Sequence, residues 1–172
     1  MSDGPCINSY LLVYLSIAGE YVKRKRGAWP LVNTANMIKA MAVSGLAALF
    51  AYVLNRLMVT RVGDGAIKIL IPLLEEGLKT GLALAFPIPV LTMHIGFGIY
   101  EAIYDILANP GVGGGKRWVA ALLALLGHGL FGWLTLFLLE LRLPGILAIV
   151  LVGAVHGCWN ILALAKSALF VG

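Results

Sequence analysis

The sequence predicts an all-α membrane protein: a polytopic bundle of about six transmembrane helices forming a single domain across residues 1–172. Three observations lead there. Of 172 residues, 60% are hydrophobic and only 12% are Asp, Glu, Lys or Arg, with a mean hydropathy of +0.94. A soluble domain carries about 25% charged residues because its surface faces water, so the largest apolar surfaces here must face lipid. The apolar residues fall into runs close to the roughly 20 residues that cross a hydrocarbon core of about 30 Å. The segments between runs are short, leaving no room for a soluble domain. Lipid offers the backbone no hydrogen-bonding partner, so each run is a helix and not a strand.

The first candidate span runs from Ile7 to Val22 and ends beside Glu20. The second runs from Ala35 to Val59, behind Trp29-Pro30, an interfacial anchor followed by a helix breaker. The third, Ala66 to Phe86, stops at Pro87-Ile88-Pro89. The fourth, Ile88 to Ala108, is stopped by Asn109-Pro110-Gly111, and a flexible Gly113-Gly114-Gly115 loop follows. The fifth runs from Arg117 to Leu139, and Pro144 opens the sixth, which continues to Phe170. The net charge of +5 owes much to the run Lys23-Arg24-Lys25-Arg26. That run reads as a loop beside anionic lipid on the cytoplasmic side, not as a nucleic-acid patch. Cys6 and Cys158 supply no disulfide framework, and nothing near Met1 resembles a cleaved signal peptide.

Against this background the ionisable residues inside the spans stand out, because each costs about 2.5–3.5 kcal/mol at the bilayer centre on insertion scales. Measured from the face that holds the loops after the third and fifth spans, Glu75, Glu101, His128 and His156 each lie roughly 11–13 residues in. At 1.5 Å per residue that is a common depth of about 16–20 Å. Helical phase adds a separate argument. Glu75 and Lys79 share a face, with Glu76 about 100° round from Glu75. His94, Gly98, Glu101 and Asp105 form one stripe; Gly153, His156 and Asn160 form another; His128 aligns with Gly132 and Thr135. Glycine beside a polar residue lets a partner helix or an extended substrate come close, which makes Gly98, Gly132 and Gly153 candidate substrate contacts. The pairs Gly77 with Gly81 and Gly153 with Gly157 read as helix-contact faces. Lone imidazoles in membrane helices are mostly interhelical hydrogen-bonders, and His94 is placed in that class. Lys79 is expected to neutralise Glu75 or Glu76, and Asp105, near a span end, to be a solvated cap.

Such a set supports three chemistries. A carboxylate can act as general base on water while imidazole and amide groups stabilise an oxyanion. Glu75, Glu101, His128 and His156 can ligate a metal, zinc suiting those donors, although the soluble metalloprotease signature is absent. A proton or cation relay in a transporter is the third. No serine or cysteine keeps the company a nucleophile needs: Ser44 lies on a span without acid or imidazole, and Cys158 is offset from the His156 stripe.

Glu75-Glu76-Gly77-Leu78-Lys79 reads E-E-x-x-K, Phe97-Gly98-Ile99-Tyr100-Glu101 reads F-x-x-x-E, His128 follows on the next span, and His156-Gly157-Cys158-Trp159-Asn160 reads H-x-x-x-N. One motif per successive helix, in this order, resembles the PrsW family of intramembrane proteases and, more distantly, the type II CAAX prenyl endopeptidase and bacteriocin-processing (CPBP) superfamily. The resemblance runs from Ile67 to Leu164. It implies a glutamate-dependent intramembrane endopeptidase of a prokaryotic cell membrane, acting on membrane-anchored proteins. Glu75 and Glu76 match the acidic pair that activates water, and His156 and Asn160 the pair that holds the oxyanion. Glu101 stands where the CAAX group has a histidine, so the second imidazole would come from His128, and Lys79 departs from that group's arginine. A prenylated substrate is not supported. The same superfamily contains a non-proteolytic multispanning subunit of γ-secretase, so a scaffold for partner helices is the alternative the resemblance leaves open.

Overall fold

The structure, a computed structural model, describes residues 34–63, 65–108 and 113–169. Among them are five helices of sixteen residues or more: α1 (Thr34–Val62), α2 (Leu70–Ala85), α3 (Val90–Ala108), α4 (Gly114–Glu140) and α5 (Gly145–Leu169). A single helical turn, Gly65–Lys68, precedes α2. The described chain is all-helical, and α1, α3, α4 and α5 are long and apolar enough to cross a membrane. The first candidate span, with Glu20 and the Lys23–Arg26 run beyond it, lies outside the described residues.

The third candidate span is corrected. Ala66 to Phe86 is not one continuous helix: the chain turns at Lys68–Ile69, and α2 keeps only 16 residues. At 1.5 Å per residue that is about 24 Å, short of a hydrocarbon core of about 30 Å. Half of α2 is buried: Ile71, Pro72, Glu75, Glu76, Lys79, Thr80, Ala83 and Leu84. These positions recur at the helical period, so α2 has a true inner face, but that face carries its charges where a soluble helix would carry leucines.

The neighbours explain how lipid is kept from it. α2 packs against α5, α1 and α3, while α3 lies along α4 in the most extensive helix pairing of the fold. Two tight turns make the hairpins. Between α2 and α3, Pro87 and Pro89 cannot continue a helix ladder, and the Ile88 N–H turns back to the Ala83 carbonyl at 2.9 Å. Between α4 and α5, the Leu143 N–H reaches the Leu138 carbonyl at 3.2 Å, and Pro144 offers its carbonyl to Leu147 at 2.8 Å. Beside the α2–α3 turn sits the apolar core: Ala83, Ile88, Val90, Met93, Phe97, Leu139 and Ala148, joined by Ala40, Ala47 and Ala51 of α1. Ser44, also on that side, is buried and donates to the Met93 carbonyl at 3.2 Å. The outer faces expose Leu46, Phe50, Leu107, Trp118, Leu126 and Ile146. Exposed apolar surface on four long helices at once marks a face made for lipid.

Candidate active site

The residues marked by depth and phase meet at the inner face of α2. Glu76 and Lys79 are both 0% exposed, and Glu75, His94, His128 and His156 are buried with them. Glu76 is the hub. Its Oε1 accepts from Lys79 Nζ at 2.6 Å and lies 3.0 Å from His156 Nδ1. Its Oε2 lies 3.0 Å from His94 Nε2. Lys79 also donates to His128 Nδ1 at 3.0 Å, and the other nitrogen of that ring, Nε2, bonds Glu101 Oε2. One continuous network thus links α2, α3, α4 and α5. Aromatic rings close it: Phe131 stacks on His156 with centroids 4.6 Å apart, and Phe97 lies 4.7 Å below the Lys79 ammonium. Neutralising Lys79 with Glu76, as the spacing predicts, answers the cost of burying either charge alone.

Glu75, one residue before the hub, faces a different environment. A cavity of about 480 Å³ opens between α1 and α3, and its wall includes Asn55, Glu75, Phe97, Tyr100, Glu101 and Asp105. Asn55 Nδ2 donates to Glu75 Oε1 at 2.8 Å. Glu75 Oε2 has its nearest nitrogens further off, His156 Nε2 at 3.9 Å and Lys79 Nζ at 4.0 Å. The side chain of Glu101 is 40% exposed on the same wall. Adjacent positions on a helix differ by about 100°, and here that rotation separates a closed carboxylate from an open one.

Several expectations change at this point. His94 is the buried interhelical hydrogen-bonder its class predicts, and the structure adds that its partner is the hub itself, Glu76 Oε2 on α2. Asn55 was missed, although an amide inside an apolar run is itself such a signal. Asp105 is a half-buried part of the cavity wall and not a solvated cap. The three glycines do not line the cavity. A Cβ on Gly98 would stand 2.9 Å from His128 Cβ, one on Gly132 2.6 Å from His94 Cβ, and one on Gly153 3.1 Å from a Leu73 methyl. These glycines take up helix neighbours, and two of them make room for the imidazoles themselves. Gly157 likewise meets the Lys68 carbonyl, whereas Gly81 has nothing within 4 Å. Asn160, one turn beyond His156, is half-buried. Cys158 is exposed.

The donor set does not fit a zinc ion. Among the described residues no group of three or more His, Cys, Asp or Glu side chains is disposed to hold a metal. The physical reason is Lys79: its ammonium already stands between Glu76, Glu75 and His128, where a second cation would be repelled. Comparison with family models, curated proteins and solved structures found no match to this chain.

Proposed function

We propose that this protein is an integral membrane peptidase, of the kind its motifs resemble, that hydrolyses membrane-anchored proteins with water activated by Glu75. The observation that carries this reading is the asymmetry of the acidic pair. Glu76 has both oxygens committed to buried partners, whereas Glu75 is a wall residue of the cavity and its Oε2 stands 3.9 Å from His156 Nε2, beyond hydrogen-bond distance. A general base needs a free lone pair beside a place for water, and only the first glutamate of the pair combines the two.

In the proposed reaction Glu75 Oε2 takes a proton from water and the hydroxyl oxygen bonds to the peptide carbonyl carbon. The proton passes to His156 Nε2, whose other nitrogen is anchored on Glu76. His156 keeps that proton as a hydrogen bond to the oxyanion, then transfers it to the departing amine as the oxyanion re-forms the carbonyl and the C–N bond breaks. Glu76, Lys79 and His128 hold this geometry; Glu101, paired with His128, forms the far wall. Burial strengthens each of these electrostatic contacts by excluding bulk water. The bilayer of a prokaryotic cell is the proposed location, and a protein with a single membrane anchor is the proposed substrate.

A second reading, a multispanning scaffold, draws on the sealed half of the network, which ties four helices together and would do so without any chemistry. One experiment separates the two. Purified protein in liposomes is offered a set of single-span reporter proteins, and cleavage is read by gel and mass spectrometry. The peptidase reading expects cleavage by the native protein and loss with Glu75→Gln at unchanged folding. Native turnover by Glu75→Gln overturns it. No cleavage of any reporter, with destabilisation only on changing Glu76 or Lys79, favours the scaffold.

A further inference from the structure

The hydrogen bonds of the network assign a proton to almost every position, and one position demands more than it ordinarily holds. Lys79, as an ammonium, has donors only. Its 3.0 Å contact with His128 Nδ1 therefore makes that nitrogen an acceptor and puts the His128 proton on Nε2, facing Glu101. His156 Nδ1 faces a carboxylate oxygen of Glu76 at 3.0 Å, so its proton is on Nδ1 and its Nε2 lone pair points towards Glu75. The two rings are opposite tautomers.

His94 fits neither pattern. Its Nδ1 lies 2.9 Å from the carbonyl oxygen of Val90, one turn earlier on α3, and a carbonyl only accepts. Nδ1 must carry hydrogen. Its Nε2 lies 3.0 Å from Glu76 Oε2. In a neutral ring that Nε2 would present a lone pair to an ionised carboxylate, two acceptors at contact distance inside a site that is 0% exposed on both sides. Such a pair left without hydrogen is costly in low dielectric.

We infer that His94 and Glu76 form a buried proton-binding site, holding one proton between Nε2 and Oε2 beyond those of a neutral imidazole and a carboxylate. Whether drawn as imidazolium with carboxylate or as imidazole with carboxylic acid, the count is the same. The charged and titratable groups around the pair are Glu75 and Lys79 from its own helix α2, Glu101 from α3, His128 from α4 and His156 from α5. Lys79 alone supplies one positive charge against three carboxylates. The extra proton supplies a second and lets Glu76 accept from three sides without leaving an imidazole unsatisfied. His94 is thus a positioning residue: through Glu76 it fixes the tautomer of His156 and so the direction of the lone pair that faces Glu75. Gly132 makes this possible, because any side chain there would occupy the space of His94 Cβ. The inference holds whether or not the site cuts peptides.

The chain has only three histidines, so nitrogen NMR of the ring-labelled full-length protein in bilayers, near neutral pH, reads the whole assignment. Each ring is identified by through-bond connection to its own backbone. The expected result is three distinct states: His128 protonated at Nε2 alone, His156 at Nδ1 alone, and His94 carrying hydrogen at Nδ1 with a second proton at or shared by Nε2. His94 with a bare Nδ1, or with an Nε2 showing no proton, overturns the inference. Glu76→Gln supplies the second measurement. An amide can donate to Nε2, so His94 should lose the extra proton and keep the one on Nδ1. A His94 that stays doubly protonated in a folded Glu76→Gln protein would show that the proton does not belong to this pair.

Discussion

Glu75 and Glu76 are neighbours in sequence, chemically identical, and live in two different regions of the molecule. Behind Glu76 lies a closed wall in which Lys79, His94 and His156 occupy both carboxylate oxygens. Beside Glu75 lies a cavity, with one carboxylate oxygen held by Asn55 and the other 3.9 Å from His156 and 4.0 Å from Lys79, outside hydrogen-bond distance of both. The difference teaches that a charged residue buried in an apolar helix bundle is not by that fact reactive. Reactivity needs an uncommitted lone pair and room for a second molecule; full satisfaction of the same group makes it a brace between helices.

The sharpest way to break this comparison is to change the open carboxylate. Glu75→Gln keeps shape and the Asn55 contact, and is expected to lower cleavage of a membrane-anchored reporter by about 10²–10⁴-fold, the usual worth of a general base, with an unfolding midpoint close to that of the parent. Equal turnover by parent and variant would remove the distinction between the two regions. The closed wall should fail differently. Lys79→Met leaves Glu76 buried without its ammonium partner, and a loss of about 3–5 kcal/mol of stability is expected, measured by denaturant unfolding in detergent. If instead Lys79→Met unfolds like the parent while losing activity, the wall is chemical and not structural.

Smaller effects sharpen the boundary. Gly132→Ala drives a methyl towards His94 Cβ, where the gap is 2.6 Å, and should cost about 1–3 kcal/mol, as overpacking does. Gly129→Ala, on the same helix with nothing within 4 Å of the added carbon, should be neutral or gain up to about 1 kcal/mol from helix propensity. Both are read by the same unfolding assay, and a reversal of their order would mean that α4 approaches α3 differently. Cys158→Ser, on an exposed face, is expected to stay within about 0.5 kcal/mol of the parent.

Much of this was legible from residue types and spacing. Burying charge in lipid is so costly that Glu75, Glu76, Lys79, Glu101, His128 and His156 mark themselves, and the 3.6-residue period states which of them share a face. The apolar runs likewise announce α1, α3, α4 and α5, since only a helix of that length satisfies its own backbone across a bilayer. Periodicity does not state which neighbour a face will meet. That the third candidate span would break at Lys68–Ile69 and leave α2 too short to span, that Gly98 and Gly132 would accommodate imidazoles instead of a substrate, and that His94 would find its partner in the hub all depend on how the helices cross. Above all, sequence treats two adjacent glutamates alike. Only the packing of α1, α3 and α5 around α2 decided which of them was fully bonded and which was left bordering the cavity, because lone pairs are committed or freed by atoms that lie far away along the chain.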